Sequence, residues 1–104
     1  METVVTRVNS SEEMAFDEWL ERGRQWWKAS AARIIECDYL LVIDAGNIVR
    51  AAGRIRGVER DIEGGTGRTG IMVIPEPANE WLGLQIMRPG SRNPVVYIKE
   101  ITEA

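Results

Sequence analysis

Histidine is missing from all 104 residues, and cysteine occurs once, at Cys37. Those two absences exclude a good deal of chemistry. Without histidine there is no imidazole acid–base scheme, and few transition-metal sites can be built. No cofactor and no metal is therefore expected, and the chain reads as non-enzymatic. One cysteine cannot form an internal disulfide, which fits a reducing compartment, and Cys37 is expected to be structural. Long apolar runs are also absent: nothing approaches the roughly 18 residues of a membrane-spanning helix, and the first residues do not read as a signal peptide. The expectation is a cytoplasmic protein with no membrane partner. Positive charge is scarce overall, with a net charge of −3. That argues against indiscriminate binding to nucleic acid while leaving room for a local basic patch.

What is present centres on Tyr39 to Val58. Tyr39-Leu40-Leu41-Val42-Ile43 is an apolar run ended by Asp44-Ala45-Gly46-Asn47, residues that accept tight-turn geometry, so a β-hairpin is expected. The following stretch alternates. With a period of two, Val49, Ala51, Gly53, Ile55 and Gly57 fall on one face. Ile48, Arg50, Ala52, Arg54, Arg56 and Val58 fall on the other, which makes it an arginine-bearing face. Residues 50 to 68 carry five arginines against three acids, so the middle of an acidic chain is locally basic. Arginine offers a planar fork for phosphate or carboxylate that lysine lacks.

Elsewhere the pattern predicts one amphipathic helix over about 11–28, opened by a capping box in which Ser10 caps and Glu13 reaches back. A second turn or short helix is expected from Ser30 to Ile35. Short strands are expected at Thr3–Val8, Ile71–Ile74, Leu84–Met87 and Val95–Ile101, with a helical turn around Trp81. The candidate core is Trp19, Leu20, Leu41, Ile43, Val49, Ile55, Val73, Val96 and Ile98. One domain, 1–104, with its β-rich part over about 38–101, is an α+β arrangement: a small bent antiparallel sheet or a partly open β-barrel covered by the N-terminal helix.

Three features could bind something. The face bearing Arg50, Arg54 and Arg56, with Arg68 beyond it, could take phosphates; it could equally be a solvated sheet surface with weak ion pairs. Four tryptophans are present. Trp26 and Trp27 cannot point the same way on a helix, and Trp27 or Trp81 could stack on a base, although core or lid packing explains them as well. The run Gly64-Gly65-Thr66-Gly67-Arg68-Thr69-Gly70 lacks the spacing and the lysine of a P-loop; a nest of its N–H groups with Arg68 could still hold an anion, and a hairpin loop is the plain alternative. Glu36, Asp38 and Asp44 are explained as turn and cap residues.

These patterns resemble small PUA-like domains of the EVE/ASCH type. The likeness lies in a tryptophan-bearing helix, then the strand Ile48-Val49-Arg50-Ala51-Ala52-Gly53-Arg54-Ile55-Arg56-Gly57-Val58, then the ending Gly90, Asn93, Pro94 and Tyr97. It covers about residues 20 to 101, and it departs from better-known members in having Cys37-Asp38 before the first strand of the hairpin. The resemblance implies binding of RNA or DNA, including a modified or flipped base, in a pocket between helix and barrel strands. The expected function is a nucleic-acid-binding module with no enzymatic activity. Two alternatives remain: a protein-interaction module, such as a small phage or defence-system accessory protein that masks a partner, and a nucleotide or small-molecule binder.

Overall fold

An apolar run of five residues with no polar alternation needs cover on both faces of its sheet, and Tyr39–Ile43 has it. The computed structural model describes residues 2–104. In chain order the elements are β1 (Thr3–Arg7), α1 (Phe16–Arg24), α2 (Ala31–Ile35), β2 (Tyr39–Ile43), β3 (Val49–Arg60), β4 (Thr69–Pro75) and β5 (Val95–Ile98). The five strands form one open sheet in the order β4-β3-β2-β1-β5, with β2 at its centre.

The sheet is mixed rather than wholly antiparallel. β1 pairs parallel to β2, with Val5 opposite Leu41, while β5 runs antiparallel along the other side of β1. A parallel pair needs a crossover of a dozen residues or more, and α1 and α2 supply it. Both helices therefore lie on one side of the sheet. There Trp19, Leu20 and Ile34 pack on Val4, Leu40, Val42, Ala51 and Ile71. On the opposite side Val5, Leu41, Ile43, Val49, Ala52 and Val96 are covered by Ile86, Trp81, Leu82 and Ile101, from turns after β4 and the residues after β5. Six of the nine predicted core residues are buried, and Ile55, Val73 and Ile98 are half-buried.

The first helix is shorter than the sequence pattern predicts. Ser10 does not cap it; its Oγ accepts from the N–H of Glu12 at 3.1 Å in a local turn, and the cap position falls on Ala15, with no side-chain hydrogen bond. At the other end Gln25 is extended (φ −153°, ψ 162°), because the chain leaves the helix to pair Trp27 with Thr69 at the sheet edge. Between these ends α1 presses on β2 through Gly23. A Cβ there would lie 2.2 Å from Val42 Cγ2, and the Gly23 carbonyl accepts from Thr6 Oγ1 at 2.7 Å. The second helix forms as expected, with Ser30 Oγ accepting from the Arg33 N–H.

The hairpin turn is built on Asp44, whose Oδ1 accepts from the N–H groups of Gly46 (2.8 Å) and Ile48 (3.0 Å), with Asn47 at φ 65°. Leu84–Met87 is not a strand. Gln85 and Ile86 make single bridges to Ile48 and Glu103, which hold the segment down as a lid. No helix among the described residues is long and apolar enough to cross a membrane.

Candidate functional site

Two β-bulges decide where the arginines of β3 go. Val42 pairs with Ala51 but Ile43 pairs with Val49, which leaves Arg50 as an extra residue. Ile55 pairs with Val73 but Gly57 pairs with Met72, which leaves Arg56 as a second extra residue. Each bulge resets the two-residue alternation. The single arginine face expected from the spacing is therefore broken. Ala51, Ile55 and Val58 join the helix-side core, while Val49 and Ala52 face the other way.

Arg50 is the arginine most changed by this. Its Nε donates to Asp44 Oδ2 at 2.8 Å, and its guanidinium lies 5.7 Å from the centre of the Trp19 ring. It is a clamp on the hairpin turn, so it leaves the set expected to meet phosphate. Burial pushes the Asp44 carboxyl up, but the Arg50 hydrogen bond and the two turn N–H groups outweigh burial and hold it below the ordinary carboxylate value.

Arg54 keeps its expected side. It is exposed, opposite Tyr39 on β2 and Ile74 on β4, with no ion pair among the described residues. Arg56 and Arg68 are also exposed and equally without an ion pair. The glycine-rich loop is organised inward. Asp61 Oδ1 accepts from the Gly64 N–H at 2.9 Å, and Asp61 Oδ2 accepts from Thr66 Oγ1 at 2.6 Å. The loop's own carboxylate fills the place an anion would need, so an anion nest does not fit.

The two tryptophans singled out by the sequence part company. Trp27 belongs to the helix side: its ring packs on that core and its Nε1 donates to the Gly23 carbonyl at 2.9 Å. Trp81 packs on the opposite side, its backbone fixed by a hydrogen bond from its N–H to Asn79 Oδ1 at 2.9 Å. One ligand cannot use both. A Cβ on Gly70 would lie 2.7 Å from the Trp26 ring. Gly70 faces away from Ile71, which is in the helix-side core, so the Trp26 ring lies on the Trp81 side.

That side is only partly covered. The lid stops over the first half of β3, and beyond it Met72 and Ile74 of β4 stand exposed beside Arg54 and Gly57. The cross-strand row Ile74–Arg54–Tyr39–Thr3 leads from this open stretch to a cleft of about 580 Å³. Thr3, Tyr39 and Leu41 form its floor; Glu76, Asn79, Glu80 and Trp81 form one wall, and Lys99, Glu100 and Ile101 the other. Tyr39 and the carboxylates were not picked out from the sequence. Tyr39 opens an apolar strand and reads as core, and the acids around Trp81 sit in a Pro-flanked turn with no periodicity to place them.

Cys37 is buried, its thiol donating weakly to the Arg33 carbonyl at 3.5 Å, and burial pushes its pKa up, which suits a structural residue. No group of three or more metal-ligating side chains converges among the described residues. Set against known proteins, the chain finds no counterpart: no family model, no curated protein and no solved structure matches it.

Proposed function

We propose that the protein is a non-enzymatic nucleic-acid-binding module that lays a single strand across the open side of its sheet. One observation carries this reading: Trp26, Tyr39 and Trp81, from three separate parts of the chain, lie on the same side, with Arg54 between them and unpaired. Aromatic faces that take stacked bases, separated by arginine that takes phosphate, are what a single-strand surface requires. The Trp81 cleft offers a place for one unstacked base. The net charge of −3 is compatible because residues 50 to 68 are locally basic, with five arginines against three acids.

The test is a set of fluorescence titrations with single-stranded DNA, duplex DNA and RNA at about 50 mM salt, where phosphate contacts are strong. Quenching by the single strands, weakening steeply with added salt, is the expected result. No binding to any of the three would overturn the reading. A second reading, a protein-interaction module, has its own support: β4 is an edge strand with Met72 and Ile74 exposed, and edges of that kind accept an extended partner segment.

A further inference from the structure

Of the buried side-chain nitrogens and oxygens, only Asn47 Oδ1 and Arg88 Nε have no partner among the described residues. Asn47 belongs to the turn built on Asp44. Arg88 follows the lid residues Ile86 and Met87, and its other two nitrogens are taken by the exposed loop after it. Nη1 donates to the carbonyls of Pro89 (3.4 Å) and Ser91 (3.1 Å), and Nη2 donates to that of Asn93. An N–H shut away from water without an acceptor is costly, so it marks a place where water or an ion is held.

Arg7 stands beside it. The Arg7 N–H donates to the Pro94 carbonyl at 2.9 Å, one peptide along from the Asn93 carbonyl that Arg88 grips. Val5 faces the lid, so Arg7, two residues further on β1, faces that side as well. It is half-buried, and its side chain has no hydrogen bond and no ion pair among the described residues. The ion pairs that arginines make there belong to Arg24, Arg33 and Arg50, so no carboxylate offsets Arg7 or Arg88. Burial, and then the charge of Arg7, hold the Arg88 guanidinium below its ordinary value. Two like charges are thus kept together at the end of β1 away from the Trp81 cleft.

Like charges so placed repel, and an anion between them reverses the sign of the interaction. A carboxylate or a phosphodiester brings one negative charge. A free phosphate or a phosphate monoester brings close to two, with three oxygens to share between two guanidinium forks. We infer that Arg7 and Arg88 form a binding site for a dianionic phosphate group, free or as a terminal monoester. The inference is independent of the nucleic-acid reading above.

The test follows the melting temperature in sodium phosphate and in sodium chloride of equal ionic strength at neutral pH. Phosphate should raise it over chloride, and the rise should saturate. Arg7→Gln should melt like the wild type in chloride and require about tenfold or more phosphate for the same rise. Arg7→Lys keeps the charge and loses the fork, so it should fall between the two. Arg54→Gln, on the open side, should keep the rise in full. Two further arms name the source. Protection by a short oligothymidylate with a 5′-phosphate, and not by the same strand without it, places the ligand at a strand end. Protection by inorganic phosphate alone makes it a free ion. An equal rise in Arg7→Gln and the wild type is the general exclusion effect of phosphate, and it overturns the site, leaving a buried water or an adventitious ion only at Arg88. No rise over chloride overturns it as well.

Discussion

On the helix side of the sheet, α1 and α2 reach from β1 to β4 and leave little of the surface bare. On the other side the cover ends over the first half of β3, and the second half of β3 with β4 is open. The same strands thus serve two ends. The closed side is where the helices pack on the sheet. The open side leaves Arg54, Met72 and Ile74 at the surface and Trp26 half-buried, with a half-open cleft at the far end of the row. On the proposed function, stability and binding fall on opposite sides of one sheet, and substitutions can be aimed at either alone.

The largest effect is expected on the closed side. Leu40→Ala should cost roughly 2–5 kcal/mol in denaturant unfolding, because the side chain is fully buried. Ile74→Ala on the open side should stay within about 0.5 kcal/mol. Similar losses at both would erase the distinction.

Gly23→Ala sharpens it. An exposed helical site would gain about 1 kcal/mol from this change. Here the new methyl meets Val42, so a net loss of roughly 1–3 kcal/mol is expected. A rise in stability would show that α1 does not press on β2 as described.

Binding measurements turn the comparison around. Trp81→Ala should weaken strand binding by roughly 1–3 kcal/mol with little change in salt dependence. Trp27→Phe, on the closed side, should leave binding unchanged. Arg54→Ala should lower the salt slope by about one unit, whereas Arg50→Met should not alter the slope at all.

The smallest effect belongs to that last variant and concerns pH. Asp44 titrates below its ordinary value in the folded protein, so its contribution is present at neutral pH and is lost as pH falls through the folded-state pKa. Removing the Arg50 hydrogen bond raises that pKa, so the acid side of the stability curve should move to higher pH in Arg50→Met. An unchanged acid limb would mean that the Arg50–Asp44 contact contributes nothing.

Much of the fold was legible in the sequence because its signals are local. The apolar run of β2, the Asp-Ala-Gly-Asn turn, the Ser30 cap and the burial of Trp19 and Leu20 each follow from a few neighbouring residues. The parallel pairing of β1 was not legible, since Thr3–Arg7 carries no mark of which strand it will join. The site was legible only in part. Trp81 and Arg54 stand where the sequence places them, in the lid and on the open face, and Arg56 is exposed but lies at a bulge. Arg50 and Trp27 do not, because a bulge turns the first toward Asp44 and the helix ends before the second. The first bulge leaves no local signature in its strand, and at the second only Gly57 hints at it. Tyr39, Trp26 and the acids of the cleft meet the site through pairings across distant parts of the chain.

β1 lies between β2 and β5, and Val5 touches both Leu41 and Val96. One flank of this inner strand is thus completed by residues near the start of the hairpin, the other by residues near the far end of the chain. During synthesis the hairpin and both helices emerge while β5 is still to be made. Until it arrives, β1 shows the solvent an unpaired row of backbone groups beside Val4 and Val5. Closure over so long a separation is slow compared with local pairing, so a newly made chain passes through a stage in which the middle of its future sheet is temporarily an edge.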